Sequence, residues 1–177
     1  CVNTGNTRVN VELLPATTIT NDTAICFGES ISLQATGGAT YNWSPATGLN
    51  TTSGSSVVAS PDVTTTYTVD IYTAFGCYGQ EQVTVTVNAI NAAFDRSDSV
   101  ACMPAQIAFT DQSSATGVID QWQWNFGTGG SSAQQNPQHT FNQAGNYTVE
   151  LTVTSNQGCM DSTTRDILIN ELPPAVA

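Results

Sequence analysis

The sequence predicts an all-β chain folded as two tandem β-sandwiches, and three observations carry that prediction. Apolar residues recur with period two along most of the chain and with period 3.6 nowhere, which is the signature of strands half buried in a sheet. The landmarks of the first half return in the same order in the second. At 177 residues the chain has room for one large domain or two small ones, and the repeat selects two.

The alternating runs define the elements. In the first half they are Ile31-Ser32-Leu33-Gln34-Ala35, Tyr67-Thr68-Val69-Asp70-Ile71 and Val83-Thr84-Val85-Thr86-Val87. In the second they are Ile107-Ala108-Phe109-Thr110 and Tyr147-Thr148-Val149-Glu150-Leu151-Thr152-Val153. Each places β-branched or aromatic residues on one face and Thr, Ser or Glu on the other, as antiparallel strands with one wet face do. Turn-rich stretches separate them, among them Gly37-Gly38, residues 50–55 and residues 127–132.

The repeat runs cysteine, strand, tryptophan, X-Pro-X, Tyr-Thr-Val, Gly-Cys and a closing strand. Cys26, Trp43, Pro61, Tyr67, Cys77 and Asn88 mark it first, and Cys102, Trp124, Pro137, Tyr147, Cys159 and Asn170 mark it again. This places one sandwich over residues 16–89 and a second over 90–171, with 172–177 leading to a following module. The connector, Asn88-Ala89-Ile90-Asn91, carries no Gly/Ser run and reads as semi-rigid. Residues 1–15 read as the closing strand of a preceding module. There Cys1, Val9 to Leu13 and Pro15 follow the pattern of Cys159, Asp166 to Leu172 and Pro173. Cys1 is then unpaired, with a lipidated N-terminal cysteine and a strand donated to a neighbouring subunit as the rival readings.

Composition excludes several functions. Fourteen Asp and Glu stand against three basic residues, Arg8, Arg96 and Arg165, and lysine is absent, for a net charge of -11. Such a chain cannot neutralise a nucleic-acid backbone, and an anionic membrane repels it. Without lysine there is no Schiff base and no phosphate-binding loop. One histidine, His139, leaves no multi-His metal site. Nor does any run reach the length of a membrane span. Thr, Ser, Asn and Gln together supply 68 residues, so uncharged hydrogen-bonding groups solubilise the surface.

The other four cysteines, Cys26, Cys77, Cys102 and Cys159, lack C-x-x-C spacing. The economical pairing is Cys26 with Cys77 and Cys102 with Cys159, one structural disulfide in each half, although other connectivities are open. Each bridge would contribute on the order of 4 kcal/mol in the chain-entropy model. Persistent disulfides imply an oxidising, extracellular setting.

Residues 92–170 resemble the PKD (polycystic kidney disease) domain, an immunoglobulin-like β-sandwich. The resemblance lies in residues 104–111 (PAQIAFTD), 124–129 (WNFGTG), 136–141 (NPQHTF) and 145–149 (GNYTV). The central motif of that family is W-D-F-G-D-G, and here Asn125 and Thr128 replace its aspartates. Residues 16–88 are similar to related modules of large secreted Bacteroidetes proteins, of the gliding-motility and type IX-secreted adhesin type, through residues 26–30, 41–45 and 60–69. The resemblance implies two immunoglobulin-like sandwiches in an extracellular, repetitive, adhesive or spacer segment. It implies partners in neighbouring modules, surface glycans or further copies of the chain, and no enzymatic activity.

Candidate sites remain to be weighed. Trp122, Trp124 and Phe126 share one face of a strand; as a row they could stack on glycan, but a sandwich core needs large inward residues, and Trp122 is the one expected to be partly exposed. Asp95, Asp98 and Asp111 raise calcium, yet no D-x-D-x-D-G loop exists, so solvated acids are the expectation and no cofactor is assigned. His139 is expected to be structural. Thr23, Ser99 and Ser162, each following an aspartate, resemble acceptors for Bacteroidetes O-glycosylation.

Overall fold

The computed structural model describes residues 16–127 and 130–173. The chain divides into two compact units, Cys1–Val87 and Asn88–Ala177. The strand expected over residues 1–15, with Cys1, lies outside the described residues, as do residues 174–177.

The first module consists of β1 (Thr18–Ile19), β2 (Thr23–Cys26), β3 (Ile31–Thr36), β4 (Thr40–Ser44), β5 (Ser56–Ala59), β6 (Thr65–Tyr72) and β7 (Tyr78–Asn88). One sheet has the order β1-β3-β5 and the other β2-β7-β6-β4. Alternation decides what meets between them. Leu33, Ala35, Val57 and Ala59 come from one sheet, and Trp43, Tyr67, Val69, Ile71, Val83 and Val85 from the other; all are buried in one cluster.

The second module consists of β8 (Ile90–Asn91), β9 (Phe94–Arg96), β10 (Val100–Cys102), β11 (Ala105–Asp111), β12 (Ser114–Ala115), β13 (Ile119–Asn125), β14 (Ser131–Ser132), β15 (Gln138–Phe141), β16 (Gly145–Ser155) and β17 (Met160–Asn170). Its sheets are β10-β17-β16-β13-β14, β15-β11-β9 and the pair β12-β8. Phe94, Ile107, Phe109 and Phe141 on one side meet Trp124, Val149, Leu151, Val153, Ile167 and Ile169 on the other. Residues 90–91, read from sequence as connector, pair with β12 and so belong to this module.

The repeat is repeated in hydrogen bonds as well as in sequence. At the β6–β7 turn, Thr73 N donates to Cys77 O, Gly76 N to Thr73 O, and Cys77 N to Thr73 Oγ1. At the β16–β17 turn, Ser155 N donates to Cys159 O, Gly158 N to Ser155 O, and Cys159 N to Ser155 Oγ. Gly76 and Gly158 both have φ +83, a left-handed conformation that the bulged turn requires and that glycine adopts without steric cost. The core tryptophans match too: Trp43 Nε1 donates to Gly54 O and Trp124 Nε1 to Gln134 O, each at 2.9 Å, so each buried indole N–H has a partner.

The cysteine pairing expected from sequence is corrected. Cys26 and Cys159 are disulfide-bonded, but Cys77 and Cys102 are free, so neither Cys26–Cys77 nor Cys102–Cys159 forms. Strand direction is the reason. β10 joins β17 in parallel, with Cys102 level with Asn170, whereas Cys159 precedes the first residue of that 11-residue strand. At about 3.3 Å per residue the two lie roughly 35 Å apart, far beyond the ~7 Å between Cα atoms that a disulfide spans. In the first module Thr17 bonds Glu81 and then Asp22 Oδ1 accepts from Thr84 N, so the entering chain runs along β7 in its own direction. It carries Cys26 towards the Asn88 end, away from Cys77.

Outward faces are tied by hydroxyl pairs, Thr18 with Thr36 at 2.6 Å and Thr66 with Thr84 at 3.0 Å, and by Thr148 donating to Asp166 at 2.7 Å. Cross-strand pairs of this kind contribute some tenths of a kcal/mol each, and the Thr–Thr pairs do not depend on charge.

Two outcomes follow for stability. Trp124→Ala should destabilise the second module by about 3–5 kcal/mol in denaturant unfolding, because a fully buried ring is replaced by a cavity. Cys77→Ser should shift unfolding of the monomer under oxidising conditions by less than about 1 kcal/mol, where loss of a native disulfide costs about 2–5 kcal/mol.

Candidate functional site

The aromatic row on β13 is divided by depth. Trp124 and Phe126 are fully buried, while Trp122 is half-buried and packs against the same core. Phe94 meets Trp124 edge to face at 5.0 Å between centroids, and Phe109 lies 5.4 Å from Trp124 and 5.2 Å from Phe126. The rings expected as core residues are therefore core residues.

Trp122 is anchored by a partner that sequence reasoning did not pair with it. Its Nε1 donates to Asp111 Oδ2 at 2.7 Å, across from β13 to the end of β11. The same oxygen accepts from Gln135 Nε2 at 3.1 Å, and Asp111 Oδ1 accepts from Ser113 N at 2.9 Å. Partial burial pushes this carboxyl up, but the hydrogen bonds from Ser113, Gln135 and Trp122 outweigh it and hold the carboxyl below the usual range. One of the three acids considered for calcium thus closes the edge of the sandwich. Asp95, another, accepts from Arg96 N. Among the described residues no three His, Cys, Asp or Glu side chains gather closely enough to hold a metal ion.

His139 lies on β15 with its ring stacked on Phe126 at 4.3 Å and edge to face against Phe141 at 4.7 Å. Burial pushes the imidazole below its ordinary value, so it is neutral at pH 7.

On the turn after β13, Asn125 Oδ1 accepts from Gly127 N at 3.0 Å, and Gly127 has φ +76. Asparagine performs the turn-shaping that an aspartate could perform at this position. Thr128 lies outside the described residues.

The outer face of β13 and β16 carries a groove of about 700 Å³ lined by Gln121, Gln123, Thr152, Thr154, Ser132 and Met160 among others. Because side chains alternate, the indole of Trp122 stands on the other face from Gln121 and Gln123. The groove floor therefore presents amides and hydroxyls, with the exposed thioether of Met160 at its edge.

Of the three possible glycan acceptors, Ser99 and Ser162 are exposed and Thr23 is half-buried. The aspartates before two of them serve the backbone, Asp22 accepting from Thr84 N and Asp161 from Ala92 N.

Residues 87–169 match the model of the PKD domain family. The chain is 34% identical over 92 residues to "Collagenase ColA" of Clostridium perfringens, a stretch that is 51% of this chain and 8% of that protein. The PKD1 domain of Vibrio anguillarum Epp is 30% identical, with 48% of this chain and 96% of that chain covered and a TM-score of 0.43. The I-band fragment I67–I69 of titin aligns over 90% of this chain and 67% of its own at 13% identity and a TM-score of 0.51, a likeness of fold. The immunoglobulin-like β-sandwich class expected from sequence holds. The two bacterial relatives among these are a collagenase and a PKD1 domain.

Acid should weaken the second module in two steps of one sign. His139 and Asp111 both have folded values below their unfolded ones, so each contributes stability that is present above its unfolded value, about 6.5 and 3.9, and lost as pH falls through the folded value. Unfolding measured between pH 7 and 3 should show both steps, and His139→Phe should remove the upper one. Asp111→Ala should cost about 1–3 kcal/mol and red-shift tryptophan emission as Trp122 loses its anchor.

Proposed function

We propose that the chain is a structural segment, a stalk or spacer, of a large extracellular bacterial surface protein, with no catalytic role of its own. The observation that carries this reading is the path of the chain through each module. In the second module the chain enters beside Asp161, whose carboxylate accepts from Ala92 N, and leaves at Asn170, at the far end of β17. At about 3.3 Å per residue that is roughly 30 Å from pole to pole. In the first, Thr17 enters beside Glu81 and β7 ends at Asn88. A module that passes its chain from one pole to the other adds length to an array. The residues that could carry chemistry are engaged in packing: His139 lies against the rings of Phe126 and Phe141, and Asp111 accepts from Ser113, Trp122 and Gln135. Disulfides at Cys26 and Cys159 and a neutral hydroxyl surface suit an oxidising, exposed location. The expected partners are neighbouring modules.

A second reading is an accessory glycan-binding module of a secreted hydrolase, with the matched collagenase as an example of a hydrolytic enzyme containing a related stretch. The groove of Gln121, Gln123, Thr152 and Thr154 favours it, since amides and hydroxyls pair with sugar hydroxyls. Titration of the intact chain with soluble xylan and carboxymethylcellulose, read by tryptophan fluorescence and calorimetry, separates the two. The spacer reading expects no heat and no change in emission, while saturable binding lost in Gln121→Ala/Gln123→Ala would replace it with the glycan reading. Pulled from its ends, a spacer should unfold in two discrete events, one per module.

A further inference from the structure

Each module carries two cysteines at equivalent places, one ending the strand that joins the closing strand in parallel (Cys26, Cys102) and one opening the closing strand after a Gly turn (Cys77, Cys159). Strand direction holds the two of each module at opposite poles, so a module cannot oxidise its own pair. The state of the four is complementary. Cys26 is bonded where its equivalent Cys102 is free, and Cys159 is bonded where its equivalent Cys77 is free. Both kinds of position are therefore demonstrably disulfide-forming in this fold, and one of each kind is left over.

The surroundings of the two free thiols are those of unfinished contacts. Cys102 is exposed, and near it stand Val100, Leu168 and Leu172, 56%, 39% and 60% exposed. Beside Cys77 are Phe75 and Tyr78, 76% and 47% exposed. Phe75 sits in the turn itself, an apolar ring displayed to water with a thiol two residues on. Apolar side chains grouped beside a free thiol give a second copy of the chain a surface to cover as the bond forms.

We infer that Cys102 of one copy of this chain forms a disulfide with Cys77 of the next, joining modules head to tail. The bond is heterologous, using one thiol of each kind, so every copy added leaves one of each kind free at the ends and the array stays open. The electron balance needs an oxidant, a low-molecular-weight disulfide such as oxidised glutathione. One thiolate attacks it and releases one glutathione thiolate; the second protein thiolate attacks the mixed disulfide and releases the other. Two protein thiols become one disulfide, one glutathione disulfide becomes two thiols, and the two protons pass to the glutathiones. The inference rests on the reading of the chain as an extracellular repeat, where such an oxidant poise exists.

The test mixes ¹⁵N-labelled and unlabelled copies of the full chain with oxidised glutathione at neutral pH, followed by non-reducing electrophoresis and peptide mapping. Expected is a ladder of covalent multimers that dithiothreitol collapses, containing a Cys77–Cys102 peptide with one labelled and one unlabelled half. In Cys77→Ser and Cys102→Ser each alone that peptide should vanish, and mixing the two variants should restore it. Circular dichroism melting of each variant checks that it is folded. Both thiols remaining alkylatable, or capped with glutathione only, while Cys26 and Cys159 stay bonded, would overturn the inference and leave the extracellular reading standing. Cys26 and Cys159 found as thiols in protein exported to an oxidising compartment would overturn that reading as well.

Discussion

The parallel addition of a short strand to the closing strand is the constraint on which the rest of this protein depends. β10 lies beside β17 and points the same way, and β2 enters along β7 in the same sense. An antiparallel meander with an even number of strands returns its chain to the pole it came from. One parallel neighbour breaks that symmetry, so the chain enters a module at one pole and leaves at the other. The polarity also separates the cysteines, decides that no module can close its own pair, and leaves a thiol and exposed apolar residues at a pole.

The sandwich tolerates this because its core is self-sufficient. In the second module Phe94, Phe109, Trp124 and Phe126 form one connected set of rings, extended through His139 and Phe141 to Tyr147. Aromatic side chains bury the most area per residue, and a module of this size has few residues with which to do it. The first module does the same work with one tryptophan, Tyr67 and a larger share of Val and Ile. Tyr67 is fully buried, and its hydroxyl donates to Thr47 O at 2.7 Å, so its polar end has a partner. The outer faces are left to hydroxyls and amides, which need no counter-ions and lose little when salt screens charge.

The stretch matched in the collagenase is 8% of that protein, so the likeness is to a part and not to the whole. What is shared is a stretch about the size of one module. Function then resides in what the poles and outer faces meet, which neither the core nor the fold specifies.

The sequence by itself determined the strands, the repeat and the core. Runs such as Tyr67 to Ile71 and Tyr147 to Val153 became buried faces as their alternation required, because period two is a local property of the chain and survives any arrangement of sheets. It also marked Trp43 and Trp124 as inward, since a small sandwich needs large apolar rings to fill its core. What only the tertiary structure decided were the relations between residues distant in the chain. Asp111, Trp122 and Gln135 meet because the end of β11 lies across from the middle of β13, and no spacing in the sequence announces it. The cysteines are the clearest case. Matching contexts placed two cysteines at equivalent positions in each half, but whether two cysteines in one half can bond depends on the direction of the strand that carries the first. Direction is set when strands pair, and the side-chain pattern of a strand reads the same both ways.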